Sequence, residues 1–179
     1  MKNLILLIAI GLTLCCCSND DDNNNGETLP PATQTGANTV GCLVNGEVFL
    51  PKSEGINPAV VCNYEYEEGE FYFNLVFSDL RGTGVKTVSV RTSEIALQAD
   101  STYSLDQDNT IFDSFIGGGG LYGINATNYF YTNSANTGEL TITRLDLSNS
   151  IISGTFWFDA INDKGDIVEI REGRFDYQY

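Results

Sequence analysis

Histidine is absent from this chain of 179 residues, and lysine and arginine together number only 9 against 24 aspartates and glutamates. The missing imidazole removes the commonest general base near neutral pH, the usual partner of a serine or cysteine nucleophile, and the commonest zinc ligand. That argues strongly against triad hydrolases and metalloenzymes. Chemistry run by carboxylates alone, such as glycoside hydrolysis, stays open. A formal net charge of −15, with the few cations scattered, also argues against nucleic acid and anionic lipid head groups as partners. Also lacking are a repeat of 20–50 residues, a convincing amphipathic helix and any second apolar run long enough to span a bilayer. No metal or cofactor is implied.

The one apolar run present covers residues 4–14, behind the positive charge of Lys2. It is well short of the roughly 20 residues a spanning helix needs, so it reads as a cleaved signal. Leu14-Cys15-Cys16-Cys17 ends it, and Ser18-Asn19-Asp20-Asp21-Asp22 follows at once. Of the three cysteines only Cys17 has leucine three residues before it and a small residue directly before it, the pattern of a bacterial lipoprotein signal. Residues 1–16 are therefore expected to leave, with Cys17 acylated as the first mature residue and held in the lipid bilayer. At ~0.8 kcal/mol per buried methylene, several acyl chains make such an anchor effectively permanent. The acids Asp20, Asp21 and Asp22 resemble the surface-export signal of Bacteroidota lipoproteins. The expected location is the outer membrane, lipid-anchored at the cell surface, with a periplasm-facing placement as the alternative.

Residues 18–38 are Asn, Asp, Gly, Thr, Pro and Ala with little to bury, so 17–38 is expected to be a lipidated, disordered tether before a single β domain at 39–179. Within that domain Asn45-Gly46, the dipeptide best suited to a type I′ turn, joins 40–44 to 47–49 in a hairpin that sets Cys42 opposite Phe49. Alternation marks strands at 60–66 and 71–77, and further strands are expected at 85–92, 102–105, 127–132, 139–146, 151–161 and 166–177. Many short strands between Gly, Asn and Asp turns predict an all-β fold, a single antiparallel β-sandwich or alternatively a partly closed barrel. Gly117 to Gly120 reads as a mobile loop or an irregular strand, since no Lys-Ser or helix pattern follows to make a phosphate cradle.

Two segments are familiar in kind. They are Gly36-Ala37-Asn38-Thr39-Val40-Gly41-Cys42-Leu43-Val44-Asn45-Gly46-Glu47-Val48-Phe49, and the later group Gly138-Glu139-Leu140-Thr141-Ile142-Thr143, Ser153-Gly154-Thr155-Phe156-Trp157-Phe158-Asp159-Ala160 and Gly173-Arg174-Phe175-Asp176. Together they resemble an uncharacterised lipoprotein family of Bacteroidota. That resemblance implies a tethered β domain of unknown function and brings no catalytic residues with it.

With Cys17 acylated, Cys42 and Cys62 are left as thiols in an oxidising compartment. A disulfide closing a loop of about 20 residues would be worth ~3 kcal/mol, and two buried free thiols are the alternative. Glu65, Glu67, Glu68 and Glu70 read as exposed turn charges rather than a paired-carboxylate site. Asp106-Gln107-Asp108-Asn109-Thr110 with Asp113 lacks the glycine and closing glutamate of a calcium loop. Gly173 is a candidate bulge. Asp100-Ser101-Thr102 fits both an O-glycosylation pattern and a plain turn. Candidate ligand contacts are Trp157, Tyr122, Tyr129 and Tyr131. The leading expectation is a non-enzymatic surface module that binds a glycan or protein ligand. Next come a barrel-type carrier of a small apolar ligand, with a lumen lined by Phe71, Phe73 and Phe77, and last a carboxylate-based glycan enzyme.

Overall fold

The computed structural model describes residues 26–108, 116–125 and 127–179. The signal at 1–16, Cys17, Asp20, Asp21 and Asp22, and the part of the calcium-like segment from 109 to 113 lie outside the described residues. The described chain is all strand and turn, in 11 antiparallel strands: β1 Thr39–Val44, β2 Glu47–Phe49, β3 Val60–Glu67, β4 Glu70–Asp79, β5 Lys86–Ser93, β6 Ser101–Leu105, β7 Gly117–Ile124, β8 Asn128–Tyr131, β9 Gly138–Asp146, β10 Ile151–Ile161 and β11 Ile167–Gln178. Their order is β2-β1-β11-β10-β8-β7-β5-β4-β3, with β9 on the free length of β10 and β6 on β9. The sheet folds over on itself in a sandwich-like way and does not close into a barrel.

Its turns follow local chemistry. Asn45 and Gly46 both take positive φ, 50° and 86°, and Cys42 faces Phe49 as the hairpin register requires. Between the two layers Phe77 meets Phe49 at 5.6 Å and Phe156 at 6.2 Å, while Phe73 stacks on Phe175 at 5.6 Å. Each buried ring contributes about 1.5–3 kcal/mol relative to exposure. Rings therefore occupy the space an apolar lumen would need: Phe73 and Phe77 are fully buried, and Phe71 packs between Tyr64 and Tyr66.

Three features depart from the sequence reading. Gly117 to Gly120 form half of an ordered strand, β7, in register with β5 from Ser93↔Gly117 to Val90↔Gly120. Glycine is required there by close approach. A Cβ at Gly118 would lie 2.2 Å from the Ser104 carbonyl oxygen, and one at Gly120 2.7 Å from the Phe158 ring. The bulge of β11 falls one residue before Gly173. Two steps along β10 (Phe156 to Phe158) oppose three steps along β11 (Gly173 to Ile170), and Glu172 carries the positive φ of 51°.

The third departure concerns the tether, whose composition predicts disorder through residue 38. Leu29 and Pro30 pack over Gly41, Glu27 pairs with Lys52, and Arg144 donates to the Gln34 carbonyl. Asp176, 1% exposed, accepts hydrogen bonds from Thr33 Oγ1 (2.7 Å), Thr35 N (2.8 Å), Gly36 N (2.7 Å), Ala37 N (3.1 Å) and Ser153 Oγ (2.7 Å). The segment 27–38 is thus a strap on the outer face of β1 and β11, and the folded body begins well before residue 39.

Cys42 and Cys62 are separate buried thiols, not a bridge. They sit on β1 and β3, near opposite ends of the strand order rather than on neighbouring strands. Burial pushes the Cys62 thiol up to about 12 and raises Cys42 as well, so neither presents a thiolate near neutral pH.

Candidate functional site

A wide concavity lies outside the sandwich, on the solvent face of β4, β5, β7 and β8. Strand register builds it in rows. Val76 stands opposite Ser89, Ser89 opposite Leu121, and Leu121 opposite Tyr131. One row further, Thr87 faces Gly123 and Gly123 faces Tyr129. A third row pairs Asn74 with Arg91, whose Nε–H donates to Asn74 Oδ1 at 2.9 Å. The groove these rows enclose, walled at one end by Thr83, Val85 and Asn125, has a volume of about 640 Å³, within the usual range of small-ligand sites.

Side-chain size explains the hollow. Gly123 removes a side chain between Thr87 and Tyr129, and a Cβ there would come to 3.0 Å from the Tyr129 ring, so glycine lets the ring lie close over β7. Ser89, likewise small, sits in the floor between Val76 and Leu121. It is 4% exposed and its Oγ has no hydrogen-bond partner. A buried hydroxyl left unmatched costs about 1–3 kcal/mol, and the Thr92 hydroxyl on the same strand is buried and unmatched as well. Burial lowers the Arg91 guanidinium below its ordinary value.

Tyr129 also forms the wall of a second, polar groove of about 310 Å³ lined by Thr127, Asn128, Tyr131, Asn162, Asp163 and Lys164. The Tyr129 and Tyr131 rings are 6.2 Å apart and tilted by 31°, side by side on the outer face. Asn162 is committed to the β10–β11 turn, its Oδ1 accepting from Lys164 N at 3.0 Å and Asp166 N at 2.9 Å. Burial and the nearby carboxylates of Asp163 and Asp108 raise the Tyr131 phenol, so it remains a protonated donor.

Of the ligand contacts expected from sequence, Tyr129 and Tyr131 come together here. Tyr122 does not: alternation turns it inward, 5% exposed, against Phe130 at 5.9 Å. Trp157 lies apart on β10, 37% exposed, with the Arg171 guanidinium 5.5 Å above its ring and its Nε1–H donating to Glu139 Oε2 at 3.2 Å. Arg171 is in turn held by Asp159 at 2.5 Å. A cation occupies one ring face, and Trp157 also lines a hollow of about 360 Å³ with Glu139, Thr141, Thr155 and Arg174. Leu121, which the sequence places beside Tyr122 at the end of the glycine run, joins them; Ser89 and Gly123 carry no sequence signal, because only the register across β4, β5, β7 and β8 brings them to the groove.

The acids behave as structure. Glu65, Glu67, Glu68 and Glu70 are exposed at the β3–β4 turn. Asp79 is held down to about 2 by hydrogen bonds from Arg81, and Asp146 to about 2 by those from Asn149 and Arg144. Thr102 Oγ1 is 2.9 Å from Thr141 Oγ1 across β6 and β9. Among the described residues no group of three or more carboxylates and thiols is placed to hold a metal ion.

Comparison with curated proteins finds no match, and comparison with solved structures finds none either. A family profile, described as a domain of unknown function (DUF6252), matches residues 80–177. That stretch runs from β5 through β11 and takes in Ser89, Leu121, Tyr129 and Tyr131, together with the later sequence motifs at 138–143, 153–160 and 173–176. The motif at 36–49 lies before it. Covering more than half of the chain, the match makes this protein a member of the DUF6252 family.

Proposed function

We propose that this protein is a non-catalytic binding module, carried on a lipid anchor at Cys17 in the outer membrane of a Bacteroidota cell and facing its surroundings. Its ligand, a glycan or a protein segment, sits in the outer groove of β4, β5, β7 and β8. The observation that carries the reading is the preformed, largely apolar hollow of about 640 Å³ on the outer face, with the Tyr129 ring along its edge. Support for a non-enzymatic role comes from the absence of histidine and from acids engaged in turns and strap contacts. The carrier reading is disfavoured by the ring-filled interior, where no lumen is left for Phe73 and Phe77 to line.

Two measurements test this. Mass spectrometry of the mature protein is expected to find acylated Cys17 at its amino terminus, and an unmodified terminus would remove the anchor. For the groove, N-phenyl-1-naphthylamine should brighten on binding the full mature chain carrying Cys17→Ser, which stays free of lipid. Leu121→Arg places a charge in the groove and should abolish that signal without lowering the melting temperature. Equal brightening in both proteins would place the probe elsewhere.

A further inference from the structure

We infer that the ligand of this site is a neutral oligosaccharide lying across Tyr129, from the apolar groove into the polar one; this rests on the outer groove being the ligand seat. Tyr129 belongs to both hollows, so one ligand can fill the two only by passing over its ring. The lining changes character along that path, from Val76, Val85 and Leu121 on one side to Asn128, Asp163 and Lys164 on the other. A ligand matching both needs apolar faces and polar edges repeated along its length. A chain of pyranose rings has this form: C–H faces that lie on aromatic rings, whose faces are electron-rich, and hydroxyl edges that exchange hydrogen bonds with amides, carboxylates and ammonium groups.

The tyrosines supply two such platforms 6.2 Å apart, and the 31° tilt suits the turn between successive sugars better than a flat fused-ring system. Charge points the same way. Lys164 offsets the adjacent Asp163, and the Asp108 carboxylate near Tyr131 leaves the mouth unfavourable to an anionic polymer.

The test is calorimetry on the full mature chain carrying Cys17→Ser, titrated separately with cellohexaose, xylohexaose, mannohexaose and maltohexaose. At least one is expected to bind. Tyr129→Ala and Tyr131→Ala should each weaken that sugar about tenfold, as the loss of one stacking platform implies. Asp163→Ala, at an exposed turn that the fold does not need, should weaken it severalfold, and it carries the test if a tyrosine variant unfolds. Trp157→Ala should leave the affinity unchanged. Affinity unmoved by Tyr129→Ala and Asp163→Ala, or binding lost only in Trp157→Ala, would overturn the inference. Failure of all four sugars at 10 mM (about the weakest affinity of interest) would overturn it too. In that case naphthylamine binding that remains sensitive to Leu121→Arg would leave the groove standing as a ligand seat, and its absence would remove the groove as well.

Discussion

Asp176→Asn is expected to free the strap at 33–37 and to destabilise the folded body by about 3 kcal/mol. For a domain of this size that lowers the melting temperature by about 6–12 °C. The aspartate accepts from two backbone amides and a hydroxyl at 2.7–2.8 Å in the strap alone, and Ser153 adds a fourth short bond. An amide side chain turns an NH₂ toward some of those donors and carries no charge to hold the rest. Hydrogen exchange at Thr35, Gly36 and Ala37 should rise in the variant more than exchange in β4 or β10. Unchanged protection of those three amides would mean that the strap is held by Leu29, Pro30 and Gly41 instead.

The same carboxylate gives a pH signature. Burial by itself would raise it, but hydrogen bonds from Thr33, Thr35, Ser153 and Gly36 outweigh that and hold it far below the ordinary aspartate value. A depressed folded value contributes stability that is complete above the unfolded value near ~3.9 and is lost as pH falls through the folded one. Asp79 and Asp146, each held to about 2, act in the same direction. The wild-type protein should therefore keep its stability down to about pH 4 and lose it steeply below. In Asp176→Asn the loss over that interval should be shallower, from a lower starting point.

Gly120→Ala is the second large effect. Its new methyl would lie 2.7–2.9 Å from three atoms of the Phe158 ring, a fully buried side chain with no free space to swing into. Overpacking of this kind costs about 1–3 kcal/mol. Shrinking the opposing ring should relieve it, so Gly120→Ala combined with Phe158→Leu is expected to be more stable than the sum of the two single variants by about 1 kcal/mol. Gly84→Ala, where nothing lies within 4 Å of the new atom, is the control and should change stability by less than about 0.5 kcal/mol. Strict additivity at 120 and 158 would show that the ring and β7 are not packed as described.

These residues also show where the sequence is readable and where it is not. The Asn45-Gly46 hairpin, the alternation of Phe71, Phe73, Leu75 and Phe77, and the split of Phe156, Phe158 and Ala160 from Trp157 are written locally. Turn chemistry and period two decide them within a few residues. Gly117 to Gly120 carry no side chain to display a period, so a strand chosen for backbone proximity looks like a loop. The strap is invisible for another reason: its bonds run from backbone amides to a carboxylate 139–141 residues away. The groove is a third case. Tyr129 and Tyr131 stand out as aromatics, but Ser89, Leu121 and Gly123 become a site only once four strands are in register. The same register is what sends Tyr122 inward.

The most direct test of the outer groove as the ligand seat is two-dimensional amide NMR of the full mature chain carrying Cys17→Ser, titrated with N-phenyl-1-naphthylamine. The account predicts shifts concentrated at Ser89, Leu121, Gly123 and Tyr129, with Trp157 and Glu139 silent. Shifts centred on β10 at Trp157, or on the inward-facing Phe73, Phe77 and Phe175, would contradict it.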